Sequence, residues 1–160
     1  MKKLSLFLVA LFAFVATPLA AQSKGIATSA DPRATAAGAE ILAKGGSASD
    51  AAMAMMLALT VVEPQSSGIG GGGFLVHYDA KGATISTING RETAPAAATP
   101  QRFTDAEGKP LPFLQAFPGG KSVGVPGNIS LMAEAHRKWG KLKWAEIFKP
   151  AIRLAEKGFV

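Results

Sequence analysis

The sequence predicts an α+β fold in which helices come first and an antiparallel hairpin follows. Three features point there. Two apolar-rich segments, 32–44 and about 50–62, carry residues that start and stop helices. Two β-rich runs, Phe74 to Tyr78 and Ala83 to Ile88, are separated only by Asp79, Ala80, Lys81 and Gly82, a hairpin signature. The composition, 48% hydrophobic and 18% charged over 160 residues, is that of a globular chain able to bury a core.

The first 21 residues stand apart. Lys2 and Lys3 precede an uncharged run from Leu4 to Ala16, then Thr17, Pro18, Leu19, Ala20 and Ala21, which is the plan of a secretory signal peptide cleaved after Ala20 or Ala21. A membrane anchor fits less well, because the apolar run ends at Pro18, short of the roughly 20 residues that cross a bilayer. The expected organisation is therefore a signal peptide at 1–21 and a mature region at 22–160, exported and most simply periplasmic, with no stable membrane anchor. Losing Lys2 and Lys3 lowers the net charge from +6 to +4, leaving 15 basic residues against 11 acidic ones. These are scattered, so no nucleic-acid partner is expected. The count of zero cysteines excludes disulfides, thiolate nucleophiles and cysteine metal sites.

In the mature region Asp31 and Pro32 form a helix start, and Gly45 and Gly46 end that helix near Lys44. A second helix is expected from Ser49 or Asp50 to Val62. It is apolar on every face and hence buried, with Met53, Met55 and Met56 as core filler and Pro64 ending it by Glu63. After the hairpin, the stretch from Thr93 to Pro126 is rich in proline, glycine and alanine. It is read as surface wrapping with one short helix from Pro100 behind Thr99. Two further helices are expected, Gly127 to Trp139 and Pro150 to Lys157, with a separate turn around Trp144 to Phe148. Phe159 and Val160, apolar and directly after the helix-ending Gly158, resemble an interrupted sequence.

Gly68, Gly70 and Gly73 match the G-x-G-x-x-G dinucleotide pattern, but that fingerprint needs a strand before it and a helix after it, and here the order is reversed. The loop instead permits close backbone approach and unusual dihedral angles. His77 and His136 lack partners at metal-ligand spacing and are read as structural, so no metal or cofactor is expected. No Gly-x-Ser-x-Gly or His-Glu-x-x-His pattern offers a nucleophile or a metal-bound water. Arg91, at the end of the second strand, has two readings. Its guanidinium grips a carboxylate through paired hydrogen bonds, or it makes an ordinary surface ion pair with Glu92, the reading that spacing alone favours.

Four motifs occur in order: Lys44-Gly-Gly-Ser-Ala-Ser-Asp-Ala-Ala52, Glu63-Pro-Gln-Ser-Ser-Gly-Ile-Gly-Gly-Gly-Gly-Phe74, Gly90-Arg-Glu-Thr-Ala-Pro95 and Val123-Gly-Val-Pro-Gly127. Together with Pro150-Ala-Ile-Arg-Leu-Ala-Glu-Lys-Gly-Phe159 they closely resemble the large subunit of gamma-glutamyltransferase, also called gamma-glutamyltranspeptidase, over nearly all of the mature region. The resemblance implies an N-terminal-nucleophile hydrolase fold, an αββα sandwich of which this chain holds only an incomplete N-terminal portion. It also implies a precursor that cuts itself into two subunits. A threonine exposed by that cut, beyond Val160, attacks the gamma-glutamyl amide of glutathione or a related compound, and the acyl group passes to water or to an amino-acid or peptide acceptor. The small subunit of the same precursor is then the partner. The resemblance assigns the binding of the substrate α-carboxylate to Arg91, leaves Glu92 structural and implies no cofactor. Two alternatives stay open: a cephalosporin-type acylase of the same fold, and a non-catalytic secreted binding remnant.

Overall fold

The computed structural model describes residues 25–160, so the signal peptide expected at 1–21 and its cleavage site lie outside the described residues. Helix α1 spans Pro32–Ala43, α2 Ala48–Val62, strand β1 Gly73–Asp79, β2 Thr84–Gly90, the one-turn α3 Phe113–Ala116, α4 Asn128–Trp139 and α5 Trp144–Lys157. Two 3-10 turns, Pro100–Phe103 and Gly120–Ser122, sit in the long connection.

Helix α1 begins where its cap residues place it. Asp31 Oδ1 accepts from the backbone N–H of Arg33 at 2.7 Å, and Arg33 Nε and Nη2 close on the same carboxylate at 2.9 and 2.5 Å. The hydrogen bond from the Arg33 side chain holds the Asp31 carboxyl down from 3.8 to about 2. The helix ends at Lys44, and Gly45 turns the chain away with φ +85°.

Helix α2 starts earlier than the sequence suggested, because the cap is Ser47 and not Ser49 or Asp50. Ser47 Oγ accepts from Asp50 N–H at 3.0 Å while Asp50 Oδ2 accepts from Ser47 N–H at 2.9 Å, a capping box with aspartate in the usual place of glutamate. The same Oδ2 also accepts from the amides of Lys141 and Leu142, at 2.9 and 3.2 Å. One fully buried carboxylate thus fastens the start of α2 to the link between α4 and α5.

As its all-round apolar sequence required, α2 is enclosed. Every residue from 49 to 62 is buried or half-buried, with Met53 and Leu57 packed among Leu131, Met132 and Ile147. Met55 presses on α1 at Gly38, where an added Cβ would lie 2.8 Å from its Cγ and Sδ. Helix α2 packs against both α1 and α5.

The hairpin is antiparallel, in register from Gly73 opposite Gly90 to Asp79 opposite Thr84. Ala83, expected in the second strand, sits in the turn at φ 49° and so cannot continue the pleat. Alternation sends Leu75 and Ile88 onto the helical core and leaves Phe74, Val76 and Tyr78 exposed on the other face. The described residues therefore form one helical layer and one hairpin of a mixed α+β architecture.

Two further expectations need correction. The turn at Trp144 to Phe148 and the helix from Pro150 are one continuous helix, α5, with Pro150 inside it. Proline removes a helical N–H, but the apolar stripe Trp144, Ile147, Phe148, Ala151 runs unbroken through it into the core, and that burial outweighs the local penalty. The expected helix at Pro100 is a single 3-10 turn, and Thr99 supplies no side-chain cap. The connection from Thr93 to Pro126 is mostly exposed, as expected, and is tied by bridges between Thr93 and Val125 and between Thr104 and Pro110. No helix among the described residues is long and apolar enough to cross a membrane.

Asp50→Ala strands the amides of Ser47, Lys141 and Leu142 and is expected to cost at least about 3 kcal/mol. Urea unfolding of the protein that carries this chain measures it, and a shift under about 0.5 kcal/mol would contradict the stitching role. Asp31 gives a pH signature. Because its folded pKa lies below its unfolded value, the folded state binds fewer protons. The contribution is then complete above about pH 4 and lost as the pH falls through about 2. Asp31→Asn is expected to lower Tm above pH 4 and to converge on the parent near pH 2, read by thermal unfolding across that range.

Candidate functional site

Strand β2 ends at Gly90, and the residues after it are crowded by two glycine-bearing segments. An ideal Cβ on Gly72 would lie 2.6 Å from Gly90 O and 2.6 Å from Glu92 N. A Cβ on Gly127 would collide with Gly90 O and come within 3.2 Å of Arg91 O. Neither position has room for a side chain. Of the loop from Gly68 to Gly73, none of the glycines has a positive φ, so it is close approach alone, and not unusual dihedral angles, that these glycines supply.

Hydrogen bonds lock the three segments together. Gly71 O accepts from the amides of Gly127 and Asn128 at 3.0 and 3.1 Å, and Asn128 Nδ2 donates to Gly68 O at 2.8 Å. Thr93 and Val125 exchange both backbone bonds, at 3.3 and 2.8 Å. The glycine loop, the Gly90–Pro95 segment and the Val123–Gly127 segment, distant in sequence, are one local structure. The glycine run follows α2 and enters β1, with no helix amides aimed at a phosphate, which agrees with setting aside the dinucleotide reading.

Within this frame Arg91 and Glu92 diverge. The Glu92 side chain is 34% exposed and Arg91 69%, and Arg91 Nε stands 3.9 Å from Glu92 Oε2, beyond hydrogen-bond reach. The pair is a loose contact between a half-buried carboxylate and an exposed guanidinium. Glu92 packs its stem on Gly124 and Oε2 lies buried without a hydrogen-bond partner. Arg91 is positioned through its backbone, whose N–H donates to Asn89 Oδ1 at 3.0 Å. Its side chain lines a cleft of about 510 Å³ shared with Thr93, Arg102, Phe103, Lys121 and Ser122. Such a volume suits a small ligand.

Both histidines are engaged elsewhere. His77 stacks on Trp139 with ring centroids 4.1 Å apart and meets Ser49 Oγ through Nδ1 at 3.2 Å. His136 Nε2 lies 2.8 Å from Leu142 O. Among the described residues no group of three His, Cys, Asp or Glu side chains gathers for a metal. Two members of the site were missed in the sequence. Asn128 directly follows the Val-Gly-Val-Pro-Gly motif, and its amide was a findable signal. Arg102, in a stretch read as surface wrapping, had none.

The family model of gamma-glutamyltranspeptidases matches residues 34–160. The chain belongs to the gamma-glutamyltranspeptidase family. It is 48% identical over 135 residues to the glutathione hydrolase proenzyme of Bacillus subtilis strain 168, an alignment that covers 84% of this chain and 23% of that relative. It superposes on gamma-glutamyltranspeptidase of Helicobacter pylori with a TM-score of 0.81 and 39% identity, over 89% of this chain and 40% of that one. A cephalosporin acylase from Bacillus halodurans is also similar, with a TM-score of 0.67 and 39% identity, over 79% of this chain and 23% of that one. The chain thus spans about a quarter of the length of the curated relatives it matches. Its mixed helix-and-sheet architecture is a portion of the N-terminal-nucleophile hydrolase fold of these gamma-glutamyltranspeptidases and acylases.

The crowding around Gly90 is directly testable. Gly127→Ala or Gly72→Ala forces backbone apart and is expected to cost about 2 kcal/mol or more in unfolding experiments. Gly70→Ala, with no atom within 4 Å of the added Cβ, is expected to stay within about 0.5 kcal/mol of the parent. Equal effects at Gly70 and Gly127 would contradict the packing role.

Proposed function

We propose that this chain is the N-terminal part of an exported, self-processed gamma-glutamyl acyltransferase and hydrolase, and that Arg91 grips the α-carboxylate of its gamma-glutamyl substrate. The observation that carries this reading is the guanidinium itself. It is 69% exposed, loosely paired at 3.9 Å and lines a small-ligand cleft, while the backbone on either side of it is clamped by glycines. A planar fork held on rigid backbone matches a carboxylate with two parallel hydrogen bonds, which lysine cannot reproduce. The rest of the reaction is what the family resemblance implies. A threonine hydroxyl beyond Val160 adds to the gamma-glutamyl carbonyl of glutathione or a related compound, with its own amine taking the proton. The leaving amine departs, and water or an amino-acid or peptide acceptor then takes the acyl group from the threonine. In this scheme the described residues hold and orient the donor, and the nucleophile comes from the small subunit of the same precursor. The basic, apolar and small-residue order of residues 1–21 supports export to the periplasm.

The similarity to a cephalosporin acylase supports a second reading, in which the same arginine holds the carboxylate of an acyl side chain on a cephalosporin nucleus. Comparing turnover of a gamma-glutamyl anilide with that of a glutaryl cephalosporin by the processed protein separates the two.

Arg91→Ala in the full-length protein is expected to raise KM for a gamma-glutamyl anilide a hundredfold or more, about 3 kcal/mol, as for a charge pair truncated at one end. Self-cleavage, followed by electrophoresis, is expected to proceed. Unchanged kinetics would refute the role of Arg91.

A further inference from the structure

The cleft beside Arg91 holds more positive charge than one α-carboxylate needs. Arg91, Arg102 and Lys121 line it against a single carboxylate, Glu92. Arg102 belongs to the 3-10 turn Pro100–Phe103 and is half-buried. Its Nε donates to Lys121 O at 2.7 Å and its Nη2 reaches Gly120 O at 3.5 Å, so the guanidinium is braced on the second 3-10 turn. Bracing on carbonyls fixes its direction while leaving its charge unpaired, because no carboxylate among the described residues forms an ion pair with it. An ordinary solvated arginine is mobile, and the rotamer entropy it would lose on binding an anion is here already spent. Lys121, exposed in the same lining, adds a second positive charge that favours an anion there. Phe103 and Val123, in the same lining, give the space next to these cations an apolar side.

We propose that Arg102 and Lys121 form a second carboxylate subsite, and that these two residues set how strongly a gamma-glutamyl donor with a free C-terminal carboxylate, such as glutathione, is preferred over one without. The inference rests on the Arg91 reading above, since it takes the α-carboxylate at Arg91 as the first anchor. The donor then lies along the cleft, its α-carboxylate at Arg91, its apolar middle against Phe103 and Val123, and its second carboxylate at Arg102 and Lys121. Bond making and breaking are unchanged, and what the subsite adds is selection of the donor.

The test compares two donors on the processed full-length protein, a gamma-glutamyl dipeptide with a free C-terminal carboxylate and the same compound as its C-terminal amide. The parent is expected to show a higher kcat/KM for the acid. Arg102→Gln keeps a donor for Lys121 O but removes the charge, and it is expected to lower the acid-to-amide ratio about tenfold, the scale of one charge-assisted hydrogen bond. Lys121→Met is expected to lower the ratio in the same direction, which guards against a local loop effect in the arginine variant. Arg91→Ala is expected to lower kcat/KM for both donors and leave their ratio in place. A parent ratio near one, or a ratio within twofold of the parent in both Arg102→Gln and Lys121→Met, would overturn the second subsite. Full activity of Arg91→Ala on both donors would instead overturn the Arg91 reading, so the two failures are distinct.

Discussion

The site depends on how closely Gly127 approaches the carbonyl of Gly90. That contact leaves no space for a Cβ, and with Gly72 also crowding the Gly90 carbonyl it pins the backbone at Arg91 against two segments far away in sequence. A cation on a mobile loop would wander through many positions before meeting a carboxylate. Here the main chain of Arg91 is held, so its exposed side chain swings from a fixed point and has only its own rotamers to lose. The glycines therefore fix the point from which the Arg91 side chain starts.

The frame around this clamp is built from helix burial. Enclosed on nearly every face, α2 gives the hairpin a surface to lie on, and the buried carboxylate of Asp50 fixes its first turn to the link between α4 and α5. Because α4 starts at Asn128, beside the clamp, the helical core and the cleft are mechanically continuous. The opposite face of the hairpin carries Phe74, Val76 and Tyr78 in the open.

The order of helices and the hairpin were legible in the sequence because each is set by local chemistry. Asp31 and Pro32 begin a helix, Pro64 stops one, and four residues join two β-rich runs. Helix α5 was misread because a local rule about Pro150 met a stronger nonlocal one, the burial of Ile147 and Ala151 on either side of it. The start of α2 was misplaced because Asp50 faces back to Ser47, a reciprocal bond that aspartate fills less often than glutamate. At the site, Arg91 stood out by its place at the strand end, but whether it pairs with Glu92 or stays free is a matter of orientation and distance that spacing does not encode. Arg102 was invisible, since only folding brings residue 102 beside residues 91 and 121.

The central claim is that Arg91 is a clamped, available carboxylate ligand. A crystal structure of the processed full-length protein with L-glutamate bound tests it most directly. The expected result is an α-carboxylate on the Arg91 guanidinium in a paired arrangement at about 2.7–2.9 Å, with the backbone between Gly90 and Thr93 unmoved. Glutamate bound away from Arg91, or an Arg91 side chain closed onto Glu92 while the ligand sits elsewhere, would contradict it.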